Sequence, residues 1–236
     1  MNRVEKTTLQ LRAVEILRAR KESLTYEELA AETGLPAGDL NRYVNGHVLP
    51  GLDRAREVVS EFGRETIAAE LDARLRTDEE SYIDNTDVVF DQSLLDAAAV
   101  VLAEDVGFER PDVVLTAATD GITFASAVAR YYGARTVYAK KSRETAVEEF
   151  VEARQRVTPG IELTYSLPAN AIDAGERVLV VDDIVRSGET QRLLLDVADQ
   201  IGAEVVGVAV LISADESGLD SVRGVVNGPI VALTSP

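Results

Sequence analysis

The chain has 236 residues, 46 % of them apolar, which is enough for one large domain or for a small module beside a core domain. The lack of cysteine excludes disulfides and thiolate metal sites, and a single histidine, His47, leaves no basis for a histidine-built one. No segment approaches the run of roughly twenty apolar residues that a membrane span needs, and the polar start MNRVEKTTLQ lacks a secretory apolar stretch, so the cytoplasm is the expected compartment.

Charge divides the chain. Asp plus Glu number 41 against 24 Lys plus Arg, a net of −17, and only Lys6, Lys21, Lys140 and Lys141 are lysines. Acid excess with scarce lysine suits solubility in concentrated salt, as in the cytoplasm of a halophilic archaeon; an acidic mesophilic protein is the alternative. Residues 1–64 net zero, so residues 65–236 carry the whole excess. A neutral head on an acidic body predicts two modules, with the head the one to meet a polyanion.

In the head, LQLRAVEILRARKE (9–22) places Leu9, Leu11, Val14, Ile16 and Leu17 at helical spacing. Thr25 with Glu28 reads as a capping box, and YEELAAETGLPAGDLNRYVNG (26–46) fits a helix-turn-helix template. Ala30 is small where two helices cross, Gly34 suits a left-handed turn, and Pro36 stands at a helix start. Leu35, Leu40 and Tyr43 supply the packing positions. The outward positions of the second helix are Ala37, Gly38, Asn41, Arg42 and Asn45, of which Asn41, Arg42 and Asn45 are the candidate DNA-binding residues. A helical module used for dimerisation is the alternative reading. With RYVNGHVLPGLDRAREV (42–58) following, residues 9–62 resemble repressors of the lambda Cro/CI type. Residues 64–81, with Ile67, Leu71 and Leu75 four apart, predict a linker helix.

From Tyr82 onward helices and strands alternate. Helices are predicted at 93–107, 121–133 and 189–202, and strands at 112–116, 136–139, 161–165, 177–181 and 204–212, with a long polar loop from Lys140 to about Gly160. The pattern predicts an α/β domain with a parallel, helix-covered sheet, whose ligands bind at the carboxyl ends of strands.

At one such end stands VLVVDDIVRSGETQ (178–191). Asp182 and Asp183 can accept hydrogen bonds from two neighbouring hydroxyls, such as a ribose diol. Arg186, Ser187, Gly188, Glu189 and Thr190 then lead into a helix whose first N–H groups make an anion cradle. Diol acceptors beside a phosphate cradle match ribose 5-phosphate. No GxxxxGK[ST] or GxGxxG occurs, which excludes the P-loop and the Rossmann dinucleotide site.

This stretch resembles the phosphoribosyl pyrophosphate (PRPP) binding motif of type I phosphoribosyltransferases. The resemblance implies a pyrophosphate loop at Ala118, Thr119, Asp120 and Gly121, sometimes crossed by a cis peptide in the family, and diphosphate contacts from Lys140 and Lys141. It implies Mg²⁺ brought with PRPP, no confident protein metal ligands, and a flexible closing loop at SRETAVEEFVEARQRVTPG (142–160). Asp120 departs from the basic residue often found in that loop. Behind a helix-turn-helix head, the body (about 82–212) resembles the phosphoribosyltransferase-fold transcriptional regulators of the purine operon repressor type, and the archaeal sugar-catabolism regulators of the same plan.

The expectation is a DNA-binding regulator of purine, nucleotide or central carbon metabolism genes that senses PRPP or a related nucleotide. It would act as a homodimer on double-stranded DNA, away from membranes and with no catalytic residues assigned. The alternative is an active purine or pyrimidine phosphoribosyltransferase. The expected domains are a helix-turn-helix head at 1–63, a linker at 64–81 and a phosphoribosyltransferase-like domain at 82–236.

Overall fold

The computed structural model describes residues 3–78, 82–143, 145–158 and 161–235. It divides into two compact units, Met1–Asp105 and Val106–Pro236.

The first unit opens with α1 (Arg3–Lys21), which buries Ala13, Val14, Ile16 and Leu17. The capping box forms at the start of α2 (Tyr26–Thr33). The Thr25 hydroxyl accepts from the Glu28 N–H (3.3 Å), and the Thr25 N–H donates to Glu28 Oε2 (2.8 Å). Gly34 ends the helix at φ +67°, a left-handed backbone that favours glycine. In α3 (Ala37–Val44), Pro36 takes the position before the first helical residue, and its carbonyl accepts from the Asp39 and Leu40 N–H groups. Leu40 is fully buried.

After α4 (Leu52–Glu57), a π-helical turn (Val58–Phe62) leads into α5 (Gly63–Arg74), which buries Ile67 and Leu71. The predicted linker helix therefore stops early: Leu75 is extended, and the strand β1 (Arg76–Thr77) pairs antiparallel with β2 (Ile83–Asp84). Residues 79–81 lie outside the described residues. The short α6 (Thr86–Val89) precedes α7 (Gln92–Val106), the helix expected at 93–107. Glu70 on α5 is fully buried and ringed by donors: Arg20 and Arg74 at 2.5 Å each, and the Ser23 hydroxyl at 2.6 Å.

The second unit is built on a five-stranded sheet in the order β4–β3–β7–β8–β9, parallel throughout. Its strands are β3 (Val113–Ala117), β4 (Arg135–Ala139), β7 (Arg177–Val185), β8 (Glu204–Ser213) and β9 (Ile230–Thr234). Continuous apolar runs such as Val178–Val181, fully buried, suit a sheet covered on both faces. The helices are α8 (Gly121–Tyr132), α9 (Glu189–Ile201) and α10 (Glu216–Arg223). Leu193, Leu194 and Val197 of α9 pack with Leu115, Val178, Val180 and Val208.

Three features differ from the sequence expectation. The segment read as a loop to about residue 160 contains the strand β5 (Phe150–Thr158), paired antiparallel with β6 (Ile161–Pro168) in a hairpin sheet of its own. The charges of FVEARQRVT hide its alternation, in which buried Ala153 stands opposite buried Tyr165. The strand expected at 161–165 thus belongs to this hairpin rather than to the parallel sheet. Finally, α10 and β9 were not foreseen: one is short, and the other is an edge strand registered against β8 (Val208↔Ile230). No described helix is long and apolar enough to cross a membrane.

Candidate functional site

The carboxyl ends of β3, β4 and β7 carry the residues singled out in the sequence. Asp182 and Asp183 sit in the carboxyl-terminal half of β7 and are only 5 % and 7 % exposed. The Gln191 amide donates to Asp182 Oδ2 (2.7 Å), and the Asp183 N–H donates to Asp182 Oδ1 (3.1 Å). Burial pushes the Asp182 carboxyl well above the ordinary carboxylate range, and the neighbouring charge of Asp183 adds to it. Gln191 was missed by sequence reasoning. Its signal was there: it is a polar residue one and two turns before Leu194, Leu195 and Ala198 on the buried stripe of α9.

The turn after the two acids is held from behind. Gly188 is buried at φ +75°, and a β-carbon on it would lie 2.1 Å from Ser221 Oγ and 2.5 Å from the Gly218 carbonyl. A β-carbon on Gly218 would in turn lie 2.1 Å from the Arg186 carbonyl. The Ser221 hydroxyl also donates to the Ser187 carbonyl (3.1 Å). Helix α10 thus clamps residues 186–188, leaves Arg186 and Ser187 exposed, and aims the first turn of α9, with Glu189 and Thr190 half-buried.

The loop 118–121 meets the first acid. At Gly121 a β-carbon would stand 2.4 Å from both Asp182 Oδ1 and Thr116 Oγ1, so only glycine lets α8 start this close. The Ala118–Thr119 peptide is cis, and Thr119 and Asp120 are exposed. Thr116 Oγ1 is buried with no hydrogen-bond partner among the described residues.

The two lysines diverge. Lys141 Nζ stands 5.9 Å from the centre of the Tyr165 ring, and Lys140 Nζ stands 5.3 Å from that of Tyr138. Lys140 and Ser166 exchange both backbone hydrogen bonds (3.0 and 2.8 Å), which seats the lysine turn on β6. Arg143 is tied to the hairpin as well. It donates to Glu152 (2.6 Å), which also accepts from Arg154 (2.7 Å) and the Ser166 hydroxyl (2.8 Å), and these donors hold the Glu152 carboxyl well below its usual range. Burial raises the Tyr165 phenol, the nearby Thr190 side chain opposes that rise, and the charges of Asp182 and Asp183 add to it. Among the described residues no group of three or more carboxylates or histidines gathers to hold a metal ion.

In the first unit, Asn41, Arg42 and Asn45 are all exposed. The Arg42 side chain is 57 % exposed, with Asp39 at 3.7 Å. Asn45 is partly committed, since its amide nitrogen donates to the Asn41 carbonyl (2.9 Å) and the Tyr26 hydroxyl (3.1 Å). Arg18, which sequence reasoning passed over, donates to the Val44 carbonyl (2.7 Å) and so finishes α3.

Residues 86–232 match the family model described as "Phosphoribosyl transferase domain". The chain belongs to the phosphoribosyltransferase-domain family. Over 113 residues it is 36 % identical to the xanthine phosphoribosyltransferase of Lactobacillus delbrueckii subsp. bulgaricus, covering 47 % of this chain and 58 % of that protein. Over 135 residues it is 28 % identical to the purine biosynthesis transcriptional repressor PurR of Bacillus subtilis, covering 57 % of this chain and 47 % of PurR. Over 128 residues it is 35 % identical to HGPRTase-like protein 1 of Haloquadratum walsbyi, covering 54 % and 66 %. The chain thus spans about half to two thirds of the length of these relatives. Among solved structures, adenine phosphoribosyltransferase from Rhodothermus marinus shares the fold at a TM-score of 0.63 and 23 % identity, over 73 % of this chain and 99 % of that one. Type I phosphoribosyltransferase architecture with a parallel sheet accounts for the second unit.

Proposed function

We propose that the protein is a DNA-binding transcriptional regulator of purine, nucleotide or central carbon metabolism genes, and that its phosphoribosyltransferase domain senses PRPP or a related nucleotide. One observation carries this reading. A chain with a buried acid pair and anion cradle in a phosphoribosyltransferase domain also holds a capped helix pair, α2 and α3, joined through left-handed Gly34, whose second helix presents Asn41 and Arg42 to solvent. The partial match to PurR supports it.

In this reading Asp182 and Asp183 accept the ribose hydroxyls. Each Asp182 oxygen already takes one protein donor and keeps further lone-pair capacity. The N–H groups of 187–190 take the 5-phosphate, the 118–121 loop and Lys141 take the diphosphate, and Mg²⁺ arrives on the ligand's phosphates rather than in a protein cage. Lys140, which stands over Tyr138, is the weaker of the two lysine assignments. Helix α3 enters the major groove of double-stranded DNA as part of a homodimer, in a salt-rich cytoplasm. There counterion release adds little affinity, and base contacts, shape and dimer geometry carry it. PRPP shifts the dimer between two arrangements by the difference in its affinity for them.

The test is fluorescence anisotropy of the full chain on the DNA upstream of its own gene, in molar KCl, with and without PRPP and Mg²⁺. Specific, saturable binding that PRPP shifts is expected; equal binding to a scrambled duplex sinks the regulator reading. The second reading is an active phosphoribosyltransferase joining a purine or pyrimidine base to PRPP. It is favoured by the 36 % identity to a xanthine phosphoribosyltransferase, and pyrophosphate release with each nucleobase tests it.

A further inference from the structure

Three successive carbonyls at the end of β7 are met by the segment that ends β8 and forms α10. The Ala214 N–H donates to the Val185 carbonyl (2.8 Å). The Arg186 carbonyl fills the space that a side chain on Gly218 would need, 2.1 Å from where its β-carbon would stand. The Ser221 hydroxyl donates to the Ser187 carbonyl (3.1 Å). This segment has anchors of its own. Asp215 caps α10 by accepting from the Ser217 N–H (2.8 Å), Leu219 packs with Val185 and Val210, and Val222 is fully buried.

The peptide bonds of the turn are trans. Across a trans peptide the C=O of one residue and the N–H of the next point in opposite directions. Carbonyls 186 and 187 face α10, so the Ser187 and Gly188 N–H groups are turned away from it. Of the three contacts, those at Val185 and Arg186 are made by backbone, and only the one at Ser187 is made by a side chain. The single Ser221 proton is shared between the Ser187 carbonyl and that of Gly218 (2.7 Å). The Gly218 bond is the local one that serine makes within helices, whereas the Ser187 bond spans 34 residues and reaches the turn.

We propose that Ser221 is a positioning residue for the phosphate end of the candidate site: by holding the Ser187 carbonyl it aims the Gly188 N–H at the ligand's phosphate monoester, and it does nothing for the diphosphate end. The proposal rests on the phosphoribosyl-binding reading above and adds to it a residue, outside the stretch 178–191, that tunes one end of the ligand.

Calorimetric titration of the full chain in molar KCl, with ribose 5-phosphate and Mg²⁺-pyrophosphate as probes, tests it alongside amide NMR spectra of isotope-labelled protein. Ser221→Ala is expected to weaken ribose 5-phosphate by about 2- to 10-fold, the net worth of one hydrogen bond, and to leave pyrophosphate unchanged. It should also shrink the downfield shift that ribose 5-phosphate induces in the Gly188 amide proton. Gly218→Ala presses on the Arg186 carbonyl and should cost ribose 5-phosphate about 10-fold or more. A merely structural Ser221 would lower the melting temperature and leave the Gly188 shift at its wild-type size. Unchanged ribose 5-phosphate affinity in Ser221→Ala, an unaltered Gly188 shift, or equal weakening of both probes overturns the proposal and leaves the functional reading intact. Should Gly218→Ala fail to fold, Ser221→Ala decides alone. A wild-type chain that does not bind ribose 5-phosphate overturns the phosphoribosyl reading and this proposal with it.

Discussion

Glu70 in the first unit and Asp182 in the second are both withdrawn from water, at 0 % and 5 % exposure, but their surroundings differ in kind. Glu70 is met by two guanidinium groups and a hydroxyl, and those arginines are themselves shared, Arg20 with Glu32 and Arg74 with Glu22 and Asp91. Asp182 receives an amide and a backbone N–H, and its close neighbour is a second acid. A buried carboxylate with cations on two sides is complete and ties α1 to α5. A buried carboxyl with neutral donors and a like charge beside it is under electrostatic load, which suits a group waiting for a ligand's hydroxyls.

The sharpest way to break that contrast is to remove each carboxylate in turn. Glu70→Ala should destabilise the protein by about 2–3 kcal/mol, below the usual 3–5 for breaking a buried pair because Arg20 and Arg74 keep other partners and some solvent. Urea unfolding in molar KCl reads this directly. A loss under about 0.5 kcal/mol, the range of ordinary surface changes, would mean that the network is decorative.

Asp182→Asn should act in the opposite direction. An acid whose native pKa is raised binds more protons folded than unfolded, so its contribution to stability falls as pH rises from the unfolded pKa through the raised native one. Above that window the wild type carries the whole penalty. The Asn variant should therefore be more stable at neutral pH, by on the order of 1 kcal/mol, with the gain vanishing as pH drops toward 4. The same variant should bind PRPP more weakly. Greater stability together with weaker binding marks a functional residue held at a cost. Lower stability at neutral pH would place Asp182 with Glu70, as a structural group.

The two regions were also unequally legible. In the head, local chemistry spoke directly: Thr25 with Glu28 and left-handed Gly34 appear in the structure where the sequence put them, because capping and turn geometry depend on a few adjacent residues. The parallel sheet was legible from continuous apolar runs. What escaped depends on distant partners. Strand β5 is stabilised by pairing with β6, so its charged outer face concealed the alternation. Helix α10, too short to announce itself, shows its purpose only where Gly218 and Ser221 meet Arg186, Ser187 and Gly188. Gly188 therefore reads correctly as a turn glycine in the sequence, although half of its reason lies some thirty residues downstream. Gln191, the side chain that holds Asp182, looks like an ordinary member of a helix until Asp182 is placed beside it.

A third carboxylate shows whether burial is the deciding variable. Asp112 is exposed and held by Arg177, whose guanidinium donates to both its oxygens (2.9 and 3.0 Å) and whose N–H adds a third bond (3.1 Å). The Arg177 side chain pulls the Asp112 carboxyl down to about 2. Because this native value is depressed, the stabilisation is present above the unfolded pKa near 3.8 and is lost as pH falls through about 2. Arg177→Met should let the Asp112 carboxyl rise toward, but not reach, its ordinary value, because the backbone N–H remains; carbon-detected NMR titration follows it. The melting temperature should barely move, since water and molar salt screen an exposed pair. If Arg177→Met instead lowered stability as much as Glu70→Ala, the number of donors around a carboxylate would govern its contribution, and burial would not be what separates Glu70 from Asp182.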